Sequence, residues 1–173
     1  MPVIERVIQE ERLTFTFPAG AMASKYDEWA HYRNQFNSAF RGTKAVDVVY
    51  AATDTAWLIE VKDYRVNPRT KAIDLADEVA LKVRDTLAGL VSARLHANDA
   101  DEKRVADALL RKRRLRVVLH LETPQHRSRL RPSAIEADKV LQKLKQLIKA
   151  VDPHPFVVDQ HSIKPGMSWV VQG

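Results

Sequence analysis

A chain of 173 residues with 45% hydrophobic and 29% charged residues is long enough for one domain with its own core, and too balanced to be disordered or fibrous. The absence of cysteine excludes disulfides and thiolate metal sites, no apolar run is long enough for a membrane span, and the early acids of "MPVIERVIQEE" argue against a secretion signal, so a cytoplasmic protein is expected. The formal net charge of +6 favours an anionic partner, nucleic acid being the commonest.

No repeat or linker divides the sequence, and residues 1–173 are expected to form a single α/β domain. "LTFTF" at 13–17 alternates apolar Leu13, Phe15 and Phe17 with threonine, the pattern of a half-buried strand, and Pro18 and Gly20 end it. From Ala21 to about Phe40, Met22, Tyr26, Trp29, Phe36 and Phe40 recur at helical spacing, which predicts an amphipathic helix closed by Gly42. "KAVDVVYAA" and "AWLIEVKDY", separated by "TDT", predict a close strand pair. A long helix follows from Ile73 to about His96, then a basic helix over 101–113 and a strand over 115–122. The capping-box spacing of Ser133 and Glu136 predicts a helix running to about Ala150, and "PFVVD" and "SWVV" predict two short closing strands. This order suits a mixed sheet with helices on both faces.

The chemistry concentrates in "AWLIEVKDYR". Side chains two apart on a strand share a face, so Glu60 and Lys62 are neighbours, and Asp47 on the preceding strand approaches Glu60 when the two strands pair. Two adjacent carboxylates repel, and a divalent cation such as Mg²⁺ relieves that repulsion; a lysine beside it can act on a metal-bound water. The bland reading of the same residues is a buried ion network with no catalysis.

Asp47, thirteen residues, then Glu60-Val61-Lys62 on hydrophobic strands resembles the active-site signature of the PD-(D/E)XK nuclease superfamily, which includes type II restriction enzymes and archaeal Holliday-junction resolvases. The resemblance covers about residues 21–122. It implies a restriction-endonuclease-like core and a hydrolase that cuts DNA, or RNA, with Mg²⁺ or Mn²⁺. It also implies Asp47 and Glu60 as metal ligands and Lys62 as the residue that activates water. Many members add a glutamate from the first helix. With Trp29 at the centre of the apolar stripe and 100° per residue, Glu28 lies roughly 100° away and Asp27 roughly 160°, which selects Glu28. The same construction on the long helix puts Lys82 roughly 100° from the central Val83, as a candidate phosphate contact beside the commoner reading of a snorkelling surface lysine.

The basic segments "RKRRLR" and "RSRLR", with Arg113, Arg114, Arg127 and Arg129, are further candidates for a nucleic-acid backbone. Against them stands the commoner role of charge runs as solvated faces. The six histidines show no metal-ligand spacing, and with five glycines the chain has no glycine-rich phosphate loop. Leu81, Ala88 and Leu95 form a secondary apolar stripe that points to a homodimer or to burial under the following helix. Two rival functions remain: a non-catalytic nucleic-acid-binding module of the same fold, and a protein-interaction domain in a defence or repair system.

Overall fold

The computed structural model describes residues 5–124 and 135–173. Its frame is a mixed five-stranded sheet in the order β3-β4-β5-β6-β7, built from Met22–Lys25, Val48–Ala51, Thr55–Asp63, Arg114–Glu122 and Phe156–Val158. The β3-β4 and β4-β5 pairs are antiparallel, and β5-β6 and β6-β7 are parallel. The remaining strands, β1 (Arg6–Glu10), β2 (Leu13–Phe17) and β8 (Val170–Gln172), form a small antiparallel sheet in the order β1-β2-β8. Three helices complete the fold: α1 (Leu75–His96), α2 (Ala100–Leu110) and α3 (Ala137–Leu147). Among the described residues no helix is long and apolar enough to cross a membrane.

The alternation of side chains along β5 divides the core in two. Ala56 and Leu58 pack with Val79, Val83 and Leu90 of α1, Leu109 of α2 and Leu144 of α3. Trp57, Ile59 and Val61 point the other way, onto Phe15 and Phe17 of β2, Val171 of β8 and Trp169. The sheet is thus flanked by helices as its sequence predicts, but all three pack on one face. The opposite face is covered by the small sheet, because the alternating Leu13, Phe15 and Phe17 supply an apolar surface that needs a sheet against it.

The expected helix over 21–40 does not form. Met22–Lys25 is an edge strand, followed by a 3₁₀ turn at Tyr26–Glu28, a π turn at Tyr32–Phe36 and a second 3₁₀ turn at Ala39–Arg41. Tyr26, Trp29 and Phe36 are still buried, so the apolar spacing is real, but it serves three successive turns instead of one continuous helix. Phe40, expected on the stripe, is 82% exposed with a left-handed φ of 53°. α3 starts at Ala137 with Glu136 at its N-cap making no side-chain cap bond; Ser133, Arg127 and Arg129 lie outside the described residues. The second stripe on α1 gains no cover from α2: Ala88 and Leu95 are exposed.

Helix α1 carries Gly89 at its closest approach to the first turns. A Cβ there would lie 1.9 Å from the Tyr26 hydroxyl oxygen and 3.1 Å from the Phe36 ring. Gly89→Ala should therefore destabilise the fold by about 1–2 kcal/mol, since overpacking outweighs the ~1 kcal/mol gain in helix propensity. That hydroxyl is buried without a hydrogen-bond partner, so Tyr26→Phe should be neutral or stabilising by about 1 kcal/mol. It should also recover most of the loss in the double variant. Urea unfolding of the four proteins measures the coupling.

Candidate functional site

The C-terminal half of β5 passes beside α1, and there charged side chains replace apolar ones. Glu60 is fully buried. Its Oε1 accepts from two ammoniums, Lys62 Nζ at 2.6 Å on its own strand and Lys82 Nζ at 2.5 Å from α1. Lys82 Nζ also stands 3.8 Å from Asp47 Oδ1. Asp47 Oδ2 accepts from the Val61 amide at 2.7 Å, just ahead of the first β4-β5 pair, Val48 with Ile59. The backbone around Asp47 is pinned on both sides. Its carbonyl accepts from the Tyr26 amide, while Asp85 and Thr86 of α1 accept from the Lys44 and Val46 amides.

One turn before Lys82 on α1, Glu78 is also fully buried and is held by Arg69 Nη2 at 2.6 Å and Lys71 Nζ at 2.5 Å. Arg69 further donates to the Tyr64 hydroxyl and the Ile73 carbonyl, so a single carboxylate fixes the loop between β5 and α1. The result is an alternating series of acid and base along the β5-α1 seam.

The electrostatics follow from burial and neighbours. Burial, then the charge of Asp47, pushes the Glu60 carboxyl up to about 7, with Lys82 and Lys62 opposing. Its Oε2 is buried with no hydrogen-bond partner, which adds to the cost of the charged form. For Lys62 burial acts downward, but Glu60 and Asp47 outweigh it and hold the ammonium above the usual lysine range. Burial would raise Glu78, yet its bonds from Lys71 and Arg69 bring it down to about 2. Asp27 is pushed up to about 6 by burial and then by Asp47.

The structure thus joins Asp47, Glu60 and Lys62, as their spacing predicts, and corrects three other assignments. Glu28 is exposed and paired with Lys25 and Arg33, and Asp27 is the residue that senses Asp47; the helical construction that favoured Glu28 fails because the segment is not a helix. Lys82 does not reach outward for a phosphate but bridges the two buried carboxylates. Arg114 pairs in register with Thr55 at the start of β5, eight residues from Asp63. Glu60 and Lys62 stand five and seven residues further along β5 than Thr55, so at about 3.3 Å per residue Arg114 lies roughly 17–23 Å from the cluster, with Arg113 just beyond it. Glu78 was missed, because an acid on an apolar stripe is visible only once its cations are placed. Among the described residues no group of three or more His, Cys, Asp or Glu side chains is gathered to hold a metal ion. The carboxylates that the resemblance assigns to Mg²⁺ or Mn²⁺ are met by lysine ammoniums.

Glu60 binds more protons in the folded than in the unfolded chain between its ordinary value of 4.5 and about 7, so the stability linked to it is present below 4.5 and lost as pH rises through 7. Lys82→Met should then cost about 3 kcal/mol at pH 8, where an ionised buried carboxylate loses a partner, and much less at pH 5, where it is protonated. Urea unfolding at the two pH values tests this. An equal cost at both would place Glu60 in one ionisation state throughout and refute the assignment.

Comparison with known proteins points away from nucleases. The chain is similar to a cysteine–tRNA ligase of Neisseria meningitidis serogroup A / serotype 4A (strain DSM 15465 / Z2491), with 36% identity, covering 78% of this chain and 24% of the ligase. The chain spans about a quarter of the length of this curated relative. No family model matches, and no solved structure matches. This finding overturns the resemblance to the PD-(D/E)XK superfamily, and with it the metal-dependent nuclease and restriction-endonuclease-like reading. The motif behind it is short, and a buried acid-lysine network satisfies the same spacing.

Proposed function

We propose that the chain is an RNA-contacting module of an aminoacyl-tRNA-synthetase-related protein, holding RNA through its phosphates. The observation that carries this reading is its 36% identity to a cysteine–tRNA ligase. The formal net charge of +6 supports it, since a basic surface meets a polyanion with a favourable, sequence-independent attraction. RNA here takes the place that the sequence alone assigns to DNA. With five glycines and no glycine-rich phosphate loop, the chain lacks the usual cradle for a nucleoside triphosphate. Binding RNA, not activating an amino acid, is therefore the part assigned to it.

A labelled transfer RNA titrated with the protein between 50 and 200 mM salt should bind with an association constant that falls linearly on logarithmic axes. The expected slope is about −2 to −4, corresponding to roughly three to five phosphate contacts at ~0.7–0.9 each. A flat salt response, or no binding at 50 mM salt, refutes the reading.

A further inference from the structure

A cleft of about 430 Å³ opens beyond the C-terminal end of β5, between the β1-β2 turn and the loop leading to α1. Its size falls in the range of small-molecule sites, enough for a nucleotide and too small for a duplex. Its position is the one where open α/β sheets place ligands, outside the carboxyl ends of parallel strands, here the β5-β6 pair.

The lining carries cations from three directions. Lys62 rises from the floor, Arg12 stands at the β1-β2 turn, and Arg69 and Lys71 come from the loop. Two carboxylates share the lining, and both are engaged. Glu11 accepts from the Asp63 amide at 2.8 Å, and Asp63 is gripped by the Arg65 guanidinium at 2.9 and 2.7 Å. Lys62 gives Glu60 one of its three N–H donors, and the side chain keeps 13% of its surface exposed toward the cleft. Lys71, with its side chain 56% exposed, and the exposed Arg12 have donors to spare. Beyond the bonds that Lys62 makes to Glu60 and Lys71 makes to Glu78, these side chains together with Arg12 keep donors arranged around a concave space, the arrangement that suits a tetrahedral oxyanion. At the opposite end of the sheet the arginines are paired on the surface. There Arg111 and Arg114, both 70% exposed, lean on Asp107 and Asp54.

We propose that this cleft seats one phosphate-bearing nucleotide of single-stranded RNA, its phosphate held by Arg12, Lys62 and Lys71. The choice of RNA rests on the reading above; the phosphate seat rests on the cleft itself.

Fluorescence anisotropy tests both parts. The probes are a labelled single-stranded RNA 12-mer, the corresponding duplex, and AMP or adenosine as competitors. Wild type should prefer the single strand, AMP should compete and adenosine should not. Arg12→Glu, on an exposed turn where melting temperature reports retained folding, should weaken single-strand binding about tenfold, the scale of one charge-assisted contact. Arg113→Glu at the far end of the sheet should change it less than twofold. Wild-type binding of RNA that Arg12→Glu leaves intact, or adenosine competing as well as AMP, overturns the seat while the RNA reading stands. AMP binding that depends on Arg12, without any RNA binding, supports the seat and removes the RNA reading. Absence of both overturns both.

Discussion

One buried carboxylate sets the arrangement around it. Glu60 lies inside a strand that is apolar on both sides, and an ion there without compensation costs several kcal/mol. Compensation comes from Lys62 two residues on and from Lys82 on α1, both reaching the same oxygen. Because one cation belongs to the strand and the other to the helix, the bond fixes the register of α1 on the sheet. A shift of α1 by one residue would rotate Lys82 by about 100° and strand the carboxylate. The apolar contacts of Val79 and Val83 with Leu58 tolerate small slides; the ion pair does not.

The same helix face carries a second buried acid, Glu78, one turn earlier, and its cations come from the loop after β5. Two successive turns of α1 thus organise two different segments: the end of β5 with Asp47, and the loop with Arg69 and Lys71. Charge alternates along the seam, and Asp27 and Glu60 both feel the like charge of Asp47. Burial and then that charge push these two carboxyls upward, while Glu78, held by Lys71 and Arg69, is drawn down.

The sequence makes the strand pair and the long helix legible because each carries a long pattern: the nine residues of β5 and the 22 of α1 leave little ambiguity. The segment from 21 to 40 was not legible. Five apolar residues at helical spacing also fit an edge strand followed by three tight turns, since a turn of any helical type returns a side chain to the same side after three to five residues. β1 escaped notice because one face alone is covered, with Ile8 buried and its neighbours exposed, so no clear alternation is written in it. The meeting of Asp47, Glu60 and Lys62 could be read because pairing geometry dictates it. Their partners Lys82 and Glu78 could not, because the rotation of α1 about its axis is decided by packing. The same triad supports either a metal-based or a lysine-based neutralisation, and sequence spacing does not distinguish them. Which cations stand beside the carboxylates does.

This neutralisation also bears on how the cleft at the end of β5 can meet a polyanion. A lysine whose charge is spent on buried carboxylates presents little field to solvent, and Lys82 is in that position. Lys62 differs. Held charged by Glu60 and Asp47, it also lines the cleft, which Lys82 does not. The loop cation Lys71 is likewise anchored on Glu78 while most of its side chain stays exposed, beside the more deeply held Arg69. The buried acids therefore act as a base plate: they fix the positions of cations whose outer faces remain available, so an incoming phosphate finds its donors already ordered and does not have to meet the full entropic cost of arranging long flexible side chains. A strand end lined by unanchored surface lysines would carry the same formal charge but would have to order them on every encounter. It is this prior ordering, set by Glu60 and Glu78, that separates the β5 end of the sheet from the equally basic turn at its other end.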